Sequence, residues 1–124
     1  MAEELTTNME KVDRWVAHTR MSDPAHHASS IFALPKDVRF LNEIIQGVLV
    51  HSDWVREYGL DEAKLDATAR TTFPTAERLD NVFERDPQPL KTRRPAEKRS
   101  IGTCRDFALT LCSFLRCKGI PARV

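Results

Sequence analysis

The chain has 124 residues and a formal net charge of +1, with 41% apolar and 30% charged side chains. That length and composition are typical of one globular domain with a buried core. A net charge so close to zero excludes a general electrostatic attraction to nucleic acid or to an anionic membrane. No apolar run approaches the roughly 20 residues of a membrane span, and the acidic N-terminus lacks the apolar segment of a secretory signal.

The three cysteines, Cys104, Cys112 and Cys117, stand in a chain without a secretory signal, which favours free thiols in a reducing compartment. We therefore expect a soluble, cytoplasmic protein. Cys112 and Cys117 do not have the spacing of a zinc site, and two positions five residues apart on one helix do not readily form a disulfide. Both are expected to serve packing, and neither a metal nor a cofactor is expected.

The first predicted helix covers residues 8–20, where Met9, Val12, Trp15 and Val16 recur at helical spacing. The sequence Ser22-Asp23-Pro24 then predicts a break and a new start, with a short helix or loop continuing to residue 32. The neighbouring His26 and His27 could attract a metal weakly, but no third ligand stands at a recognisable spacing. We expect both imidazoles to be exposed.

A long second helix is predicted over residues 37–58, with Asp37 as its cap. Its apolar stripe can continue to Tyr58, until Gly59 ends the helix. Gly47 lies in its middle, where close packing of another element is expected. The inner face consists of Val38, Leu41, Ile44, Ile45, Val48, Leu49 and Val55.

The third helix is predicted to start at Pro74 or Thr75 and to end before Asp86. Residues 87–101 follow as a proline-interrupted basic linker, in which positions 91–99 carry a net charge of +4. Nucleic-acid binding would favour aromatic stacking residues or a groove-entering helix, and this run has no aromatic residue. We interpret it as a solvated linker. Trp15 and Trp54 are expected in a core or an interface.

The last helix is predicted over residues 103–118, with Gly119 just beyond its end. Because apolar side chains surround most of its circumference, it should be a buried central helix. No strand of useful length is predicted before Ala122, so the chain should be mainly α. The apolar positions are Phe107, Ala108, Leu109, Leu111, Phe114 and Leu115.

Cys104 follows Gly102-Thr103 at the start of this helix. Backbone N–H groups in a first helical turn have no intrahelical acceptor, and the helix dipole leaves partial positive charge there. Both features stabilise a thiolate, which is the nucleophilic form of cysteine. The pattern therefore predicts an activated thiol at Cys104.

Residues 102–124, GTCRDFALTLCSFLRCKGIPARV, resemble the core motif of the transglutaminase-like superfamily, which includes transglutaminases, related cysteine peptidases and peptide N-glycanases. Three upstream segments are weakly similar to a bacterial branch of it: residues 34–37, 47–51 and 89–93. The resemblance implies one α+β, papain-like domain over residues 1–124. It would comprise a helical region at 8–86, the linker at 87–101, the nucleophile helix at 102–118 and a strand stub at 120–124.

The resemblance also implies a chemistry. Cys104 would attack the carbonyl carbon of a protein or peptide amide, and the backbone N–H of Cys104 would stabilise the oxyanion. The His and Asp of the family's triad would fall beyond Val124, so the chain is expected to be a front part or a truncated relative with little or no turnover. His51, expected as an ordinary helix-end or surface residue, is the first alternative base.

A second hypothesis belongs to another class. A helix with apolar groups on all sides needs cover, so the chain could be a non-catalytic helical module that binds a partner or self-associates through that surface. For the enzymatic hypothesis, peptidase, transamidase and glycanase outcomes remain open at the level of sequence.

Overall fold

The computed structural model describes residues 13–59 and 72–124. Within these ranges the protein is mainly helical, as the sequence predicted, with one small two-stranded sheet. Its α-helices are α1 (Ala28–Phe32), α2 (Val38–Val48), α3 (Thr75–Arg85) and α4 (Cys104–Cys117), its strands are β1 (Leu49–His51) and β2 (Ser100–Gly102), and 3-10 turns lie at Ala25–His27, Ser52–Trp54 and Ala96–Lys98.

Helix α4 occupies the centre of the molecule and matches its predicted bounds closely. Phe114, on its inner side, is completely buried in a core that also contains Ile31 of α1, Leu41 of α2 and Leu79 of α3. The other side of α4 is only partly covered, and Ala108 is exposed. The expectation of a buried central helix is therefore met only in part, because Phe114 alone of the six predicted apolar positions is buried. The buried face also carries polar groups: Asp106, Thr110, Ser113 and Arg116.

Helix α2 begins as predicted, because the Asp37 carboxylate accepts a hydrogen bond from the Phe40 N–H at 2.9 Å. The predicted end near residue 58 is wrong. The helix stops at Val48, and Leu49 adopts an extended conformation that starts β1. Apolar residues continue past this point because a buried strand needs them as much as a buried helix does.

The sequence predicted no strand of useful length before Ala122, and the two strands that do precede it, β1 and β2, have three residues each and pair in parallel. Their hydrogen bonds join positions about fifty residues apart, and three-residue strands leave no periodic trace in the sequence. Residues 119–124 form no strand with the described part of the chain. Instead, the Ala122 N–H donates to the Trp15 carbonyl at 3.0 Å, and Arg116 Nε donates to the Ala122 carbonyl at 2.9 Å.

The first predicted helix is only partly within the described residues, because positions 8–12 lie outside them. Residues 13 and 14 are helical, whereas residues 15–20 form turns and irregular backbone, so the predicted extent to residue 20 is wrong. Trp15 is half-buried, with the Arg123 guanidinium 5.3 Å from its ring centre. This contact ties the two ends of the described chain together.

The basic segment is not uniformly solvated as predicted, since Arg94 is 1% exposed and Arg99 is 6% exposed. The Arg94 guanidinium donates to the carbonyls of Pro89 at 2.8 Å, Thr92 at 2.7 Å and Asp86 at 3.1 Å. The Arg94 guanidinium can be buried because these backbone carbonyls accept hydrogen bonds from its planar set of five donors. Arg94 thus stabilises the conformation of the loop.

Close packing at Gly47 is confirmed. The Arg94 N–H donates to the Gly47 carbonyl at 3.0 Å, and a Cβ at Gly47 would lie 3.3 Å from Cγ of Arg93. The basic segment therefore runs directly over the middle of α2. Among residues 13–59 and 72–124, no helix is long and apolar enough to cross a membrane.

Candidate active site

The parallel sheet brings His51 and Cys104 to the same end of the molecule. His51 is the last residue of β1 and pairs with Gly102, the last residue of β2. The carboxyl ends of parallel strands share one edge of the sheet, and Cys104 begins α4 only two residues after Gly102. The His51 ring stacks on Phe107, one turn further along α4, at a centroid distance of 6.2 Å.

A buried polar network fixes the start of α4. The Asp106 carboxylate accepts from the Thr103 N–H at 2.8 Å and lies 3.1 Å from Arg78 Nη2. Arg78 also donates through Nη1 to the Ile101 carbonyl at 2.8 Å. A Cβ at Gly102 would lie 2.9 Å from the Asp106 side chain, so glycine is needed there. Together these contacts join α3, β2 and the first turn of α4.

Cys104 opens onto a cleft with a volume of about 480 Å³. Cys104 is exposed, unlike Cys112, and it lies at the first position of α4, as predicted. Aromatic and basic side chains dominate the walls. The lining residues are Gln46, Leu49, Val50, His51, Trp54, Tyr58, Arg93, Arg99, Cys104 and Phe107.

Three of these wall residues had no functional signal in the sequence. Trp54, expected in a core or an interface, is 57% exposed and therefore not in the core, and its indole lines the cleft. The Arg99 guanidinium lies 5.7 Å from the centre of the Tyr58 ring, a cation–π contact that joins the turn after β1 to the basic segment. Their proximity depends on the sheet pairing, which the sequence did not reveal.

His51 is held in a defined hydrogen-bonding state. Its Nδ1 accepts from the Asp53 N–H at 3.0 Å, and the Asp53 carboxylate lies 3.8 Å from the same nitrogen. A neutral imidazole that accepts at Nδ1 carries its proton on Nε2. In this state His51 offers a donor, rather than a base, to whatever occupies the cleft.

The other two cysteines have surroundings that disfavour a thiolate. Burial raises the pKa of the Cys112 thiol, with a smaller opposing effect of Arg116. Burial, assisted by the negative charge of Asp23, raises the pKa of Cys117 to about 11. Cys117 Sγ does lie 3.3 Å from His18 Nε2, but burial also lowers the pKa of that imidazole, which favours a neutral pair.

The histidine pair differs from expectation in one respect. His26 is exposed, but His27 is 8% exposed because its ring packs on Phe83 at a centroid distance of 5.3 Å. Asp80 of α3 lies beside both imidazoles, a neighbour that nothing in the sequence spacing indicated.

Comparison of the chain with family models, with curated proteins and with solved structures gave no match. The transglutaminase-like resemblance therefore remains an expectation from the sequence, chiefly from the motif of residues 102–124.

Proposed function

We propose that Cys104 is the nucleophile of a transglutaminase-like acyl transfer or amide hydrolysis. Its thiolate would attack the carboxamide carbon of a protein or peptide, forming the S–C bond of a thioester. The C–N bond then breaks, and the departing nitrogen takes a proton to leave as an amine. Water or a second amine would release the acyl group from the sulfur.

The observation that carries the proposal is the position of Cys104. It is an exposed thiol at the first position of a 14-residue helix, and it opens onto a cleft. A helix start favours the negative charge of a thiolate and of an oxyanion. The Cys104 N–H belongs to the first turn, where no intrahelical acceptor exists, so it is the natural oxyanion donor.

The cleft walls supply further chemistry. Trp54, Tyr58 and Phe107 offer flat apolar surface for the side chains that flank a scissile amide. His51, with its proton on Nε2, can donate a hydrogen bond to the oxyanion of the tetrahedral intermediate. In this scheme His51 stabilises negative charge and transfers no proton, so that solvent takes the thiol proton and supplies the proton of the departing nitrogen.

The proposal is tested by separating acylation from turnover. The protein is incubated with a p-nitrophenyl ester, whose leaving group needs no proton, and intact and peptide mass spectrometry locates the acyl group. We expect one acyl group on Cys104, lost in Cys104→Ala and retained in Cys112→Ala. Acylation of another cysteine, or none at all, would contradict the assignment.

The role of His51 is tested with two variants and the same p-nitrophenyl ester. Loss of one oxyanion donor typically costs about 10²–10³-fold, so His51→Ala should slow formation of the acyl-enzyme by that factor. His51→Gln, whose side-chain amide can still donate, should lose clearly less. Equal losses in the two variants would indicate a structural role of the imidazole only.

A further inference from the structure

A second cluster of ligating side chains lies outside the Cys104 cleft. His26, His27 and Asp80 each offer one ligand atom, and these atoms lie within 4.8 Å of one another. Nε2 of His27 is 2.6 Å from Oδ1 of Asp80, and Nε2 of His26 is 3.4 Å from the same oxygen. Both imidazoles therefore direct the same ring nitrogen at one carboxylate oxygen.

The local backbone conformation of the turn that carries His26 and His27 places both rings on the side of Asp80. Ala25 has a φ of 52°, an uncommon left-handed conformation for a residue with a Cβ. Its N–H donates to the Asp23 carboxylate at 2.8 Å, and the 3-10 turn of Ala25–His27 begins there. The two consecutive rings lie with their centroids 3.9 Å apart, and His27 is held against Phe83 of α3.

We propose that His26, His27 and Asp80 bind a divalent transition-metal ion of the zinc class. Two imidazoles and a carboxylate are borderline ligands that suit Zn²⁺, and three protein ligands leave a fourth position for water. Asp80 is 52% exposed and His26 is 72% exposed, so the ion can reach the ligands from solvent.

One of the ligand separations already suits a metal ion, and a second requires a small movement. Metal–ligand bonds of 2.0–2.1 Å in a tetrahedron place neighbouring ligand atoms about 3.3 Å apart. The 3.4 Å between His26 and Asp80 already satisfies this separation. The 2.6 Å between His27 and Asp80 is a direct hydrogen-bond distance, and it would have to widen by roughly 0.7 Å to admit the ion. The half-exposed Asp80 side chain can supply that movement.

The metal would join two separate elements. His26 and His27 come from the turn before α1, whereas Asp80 comes from the middle of α3. An ion that binds the folded arrangement more tightly than the unfolded chain raises the free energy of unfolding. Zn²⁺ is therefore expected to stabilise the protein, independently of any reaction at Cys104.

The test uses the full chain with Cys104→Ala, which removes the exposed thiol as a competing ligand. Zn²⁺ binding is measured by calorimetry, and Co²⁺ binding by its visible absorption. We expect one site whose dissociation constant rises more than about 100-fold on His26→Gln or Asp80→Asn, since even changes to outer-shell partners cost roughly 10–100-fold.

His18→Gln is the matched control, because His18 is the other imidazole with a nearby soft ligand, Cys117; it should leave the site unchanged. The His26 side chain is largely exposed, so its variant should fold normally, as circular dichroism will verify. Absence of Zn²⁺ binding, or unchanged affinity in His26→Gln, would overturn the proposal. His27 and Asp80 would then form a hydrogen bond between the turn and α3 and nothing more.

Discussion

At the scale of single residues, surroundings separate three chemically identical thiols. Cys104 is exposed at a helix start, whereas burial raises the pKa of both Cys112 and Cys117. The sequence predicted this division, because only Cys104 precedes the apolar run and the other two lie within it. The His18 imidazole beside Cys117 does not make that thiol more acidic, since a neutral His18 cannot stabilise a thiolate by charge.

We expect iodoacetamide at pH 7 to alkylate Cys104 first, because it is exposed, whereas burial both shields the other two thiols and raises their pKa values. Peptide mass spectrometry of briefly treated, folded protein will give the order. Earlier labelling of Cys112 or Cys117 would refute this prediction.

The alkylation of Cys117 should depend steeply on pH. With a pKa of about 11, its thiolate fraction increases as the pH rises towards 11. At pH 8 only about one molecule in a thousand carries the thiolate, and each further pH unit raises this fraction roughly tenfold. Rates measured between pH 7 and 10 should follow this slope. An alkylation rate that stops increasing below pH 9 would show that the pKa of Cys117 is not raised.

At the scale of elements, the start of α4 is positioned by packing between Gly102 and Asp106 and by the Asp106–Arg78 ion pair. Thr103 and Asp106 form a capping box at the helix start, a local feature of the sequence. The contact between Gly102 and Asp106 is also local, because the two residues are four positions apart, whereas the ion pair with Arg78 arises from tertiary structure. The candidate nucleophile is therefore held by both local and distant interactions.

We predict that Gly102→Ala destabilises the protein by about 1–3 kcal/mol, the usual cost of overpacking, because its Cβ would lie 2.9 Å from Asp106. Asp106→Ala should cost about 3–5 kcal/mol by leaving the buried Arg78 without its carboxylate partner. The double variant should lose somewhat less than the sum, since Asp106→Ala removes the Oδ2 and Cγ atoms that the new Cβ would meet, although the Cβ of residue 106 stays 2.9 Å away. Urea denaturation measures all three, and full additivity would show that the carboxylate contributes nothing to the clash.

The basic segment offers an element-scale test of its own. Arg94→Met should lower the free energy of unfolding by at least about 3 kcal/mol, because several loop carbonyls lose a charged donor worth roughly 1.5–3 kcal/mol each. Lys91→Met, at an exposed position of the same segment, should change it by less than about 0.5 kcal/mol. If both variants changed the free energy of unfolding by similar amounts, the segment would behave as the solvated linker that the sequence predicted.

At the scale of the whole molecule, α4 is enclosed on one side by α1, α2 and α3 through a shared apolar core. The resemblance implied a strand stub at residues 120–124. The hydrogen bonds of Ala122 and the contact of Arg123 with Trp15 hold that segment against the rest of the described chain instead. Self-association stays a prediction, which sedimentation velocity over a range of concentrations will check.

Phe114→Ala should cost about 3–5 kcal/mol and broaden or abolish cooperative unfolding, because Phe114 is 0% exposed at the centre of the core. Phe32→Ala removes the same ring from a position that is 60% exposed, and it should change stability by less than about 0.5 kcal/mol. Thermal denaturation followed by circular dichroism compares the two. Equal losses would mean that the core is not the closed cluster described.

The features that could be predicted from the sequence are those that depend on neighbouring residues. They are the cap at Asp37, the bounds of α3 and α4, and the place of Cys104 at a helix start. Each follows from local hydrogen bonding and from side-chain spacing within a few residues. The same short-range information indicated close packing at Gly47.

Tertiary structure decided what depends on partners distant in the chain. The pairing of β1 with β2 ended α2 early and brought His51 to the edge where Cys104 begins α4. Burial of Arg94 required loop carbonyls to fold around it, and Asp80 reached His26 and His27 only through the packing of α3. Such contacts leave no periodic pattern, because the energy that selects them arises only when separate segments meet.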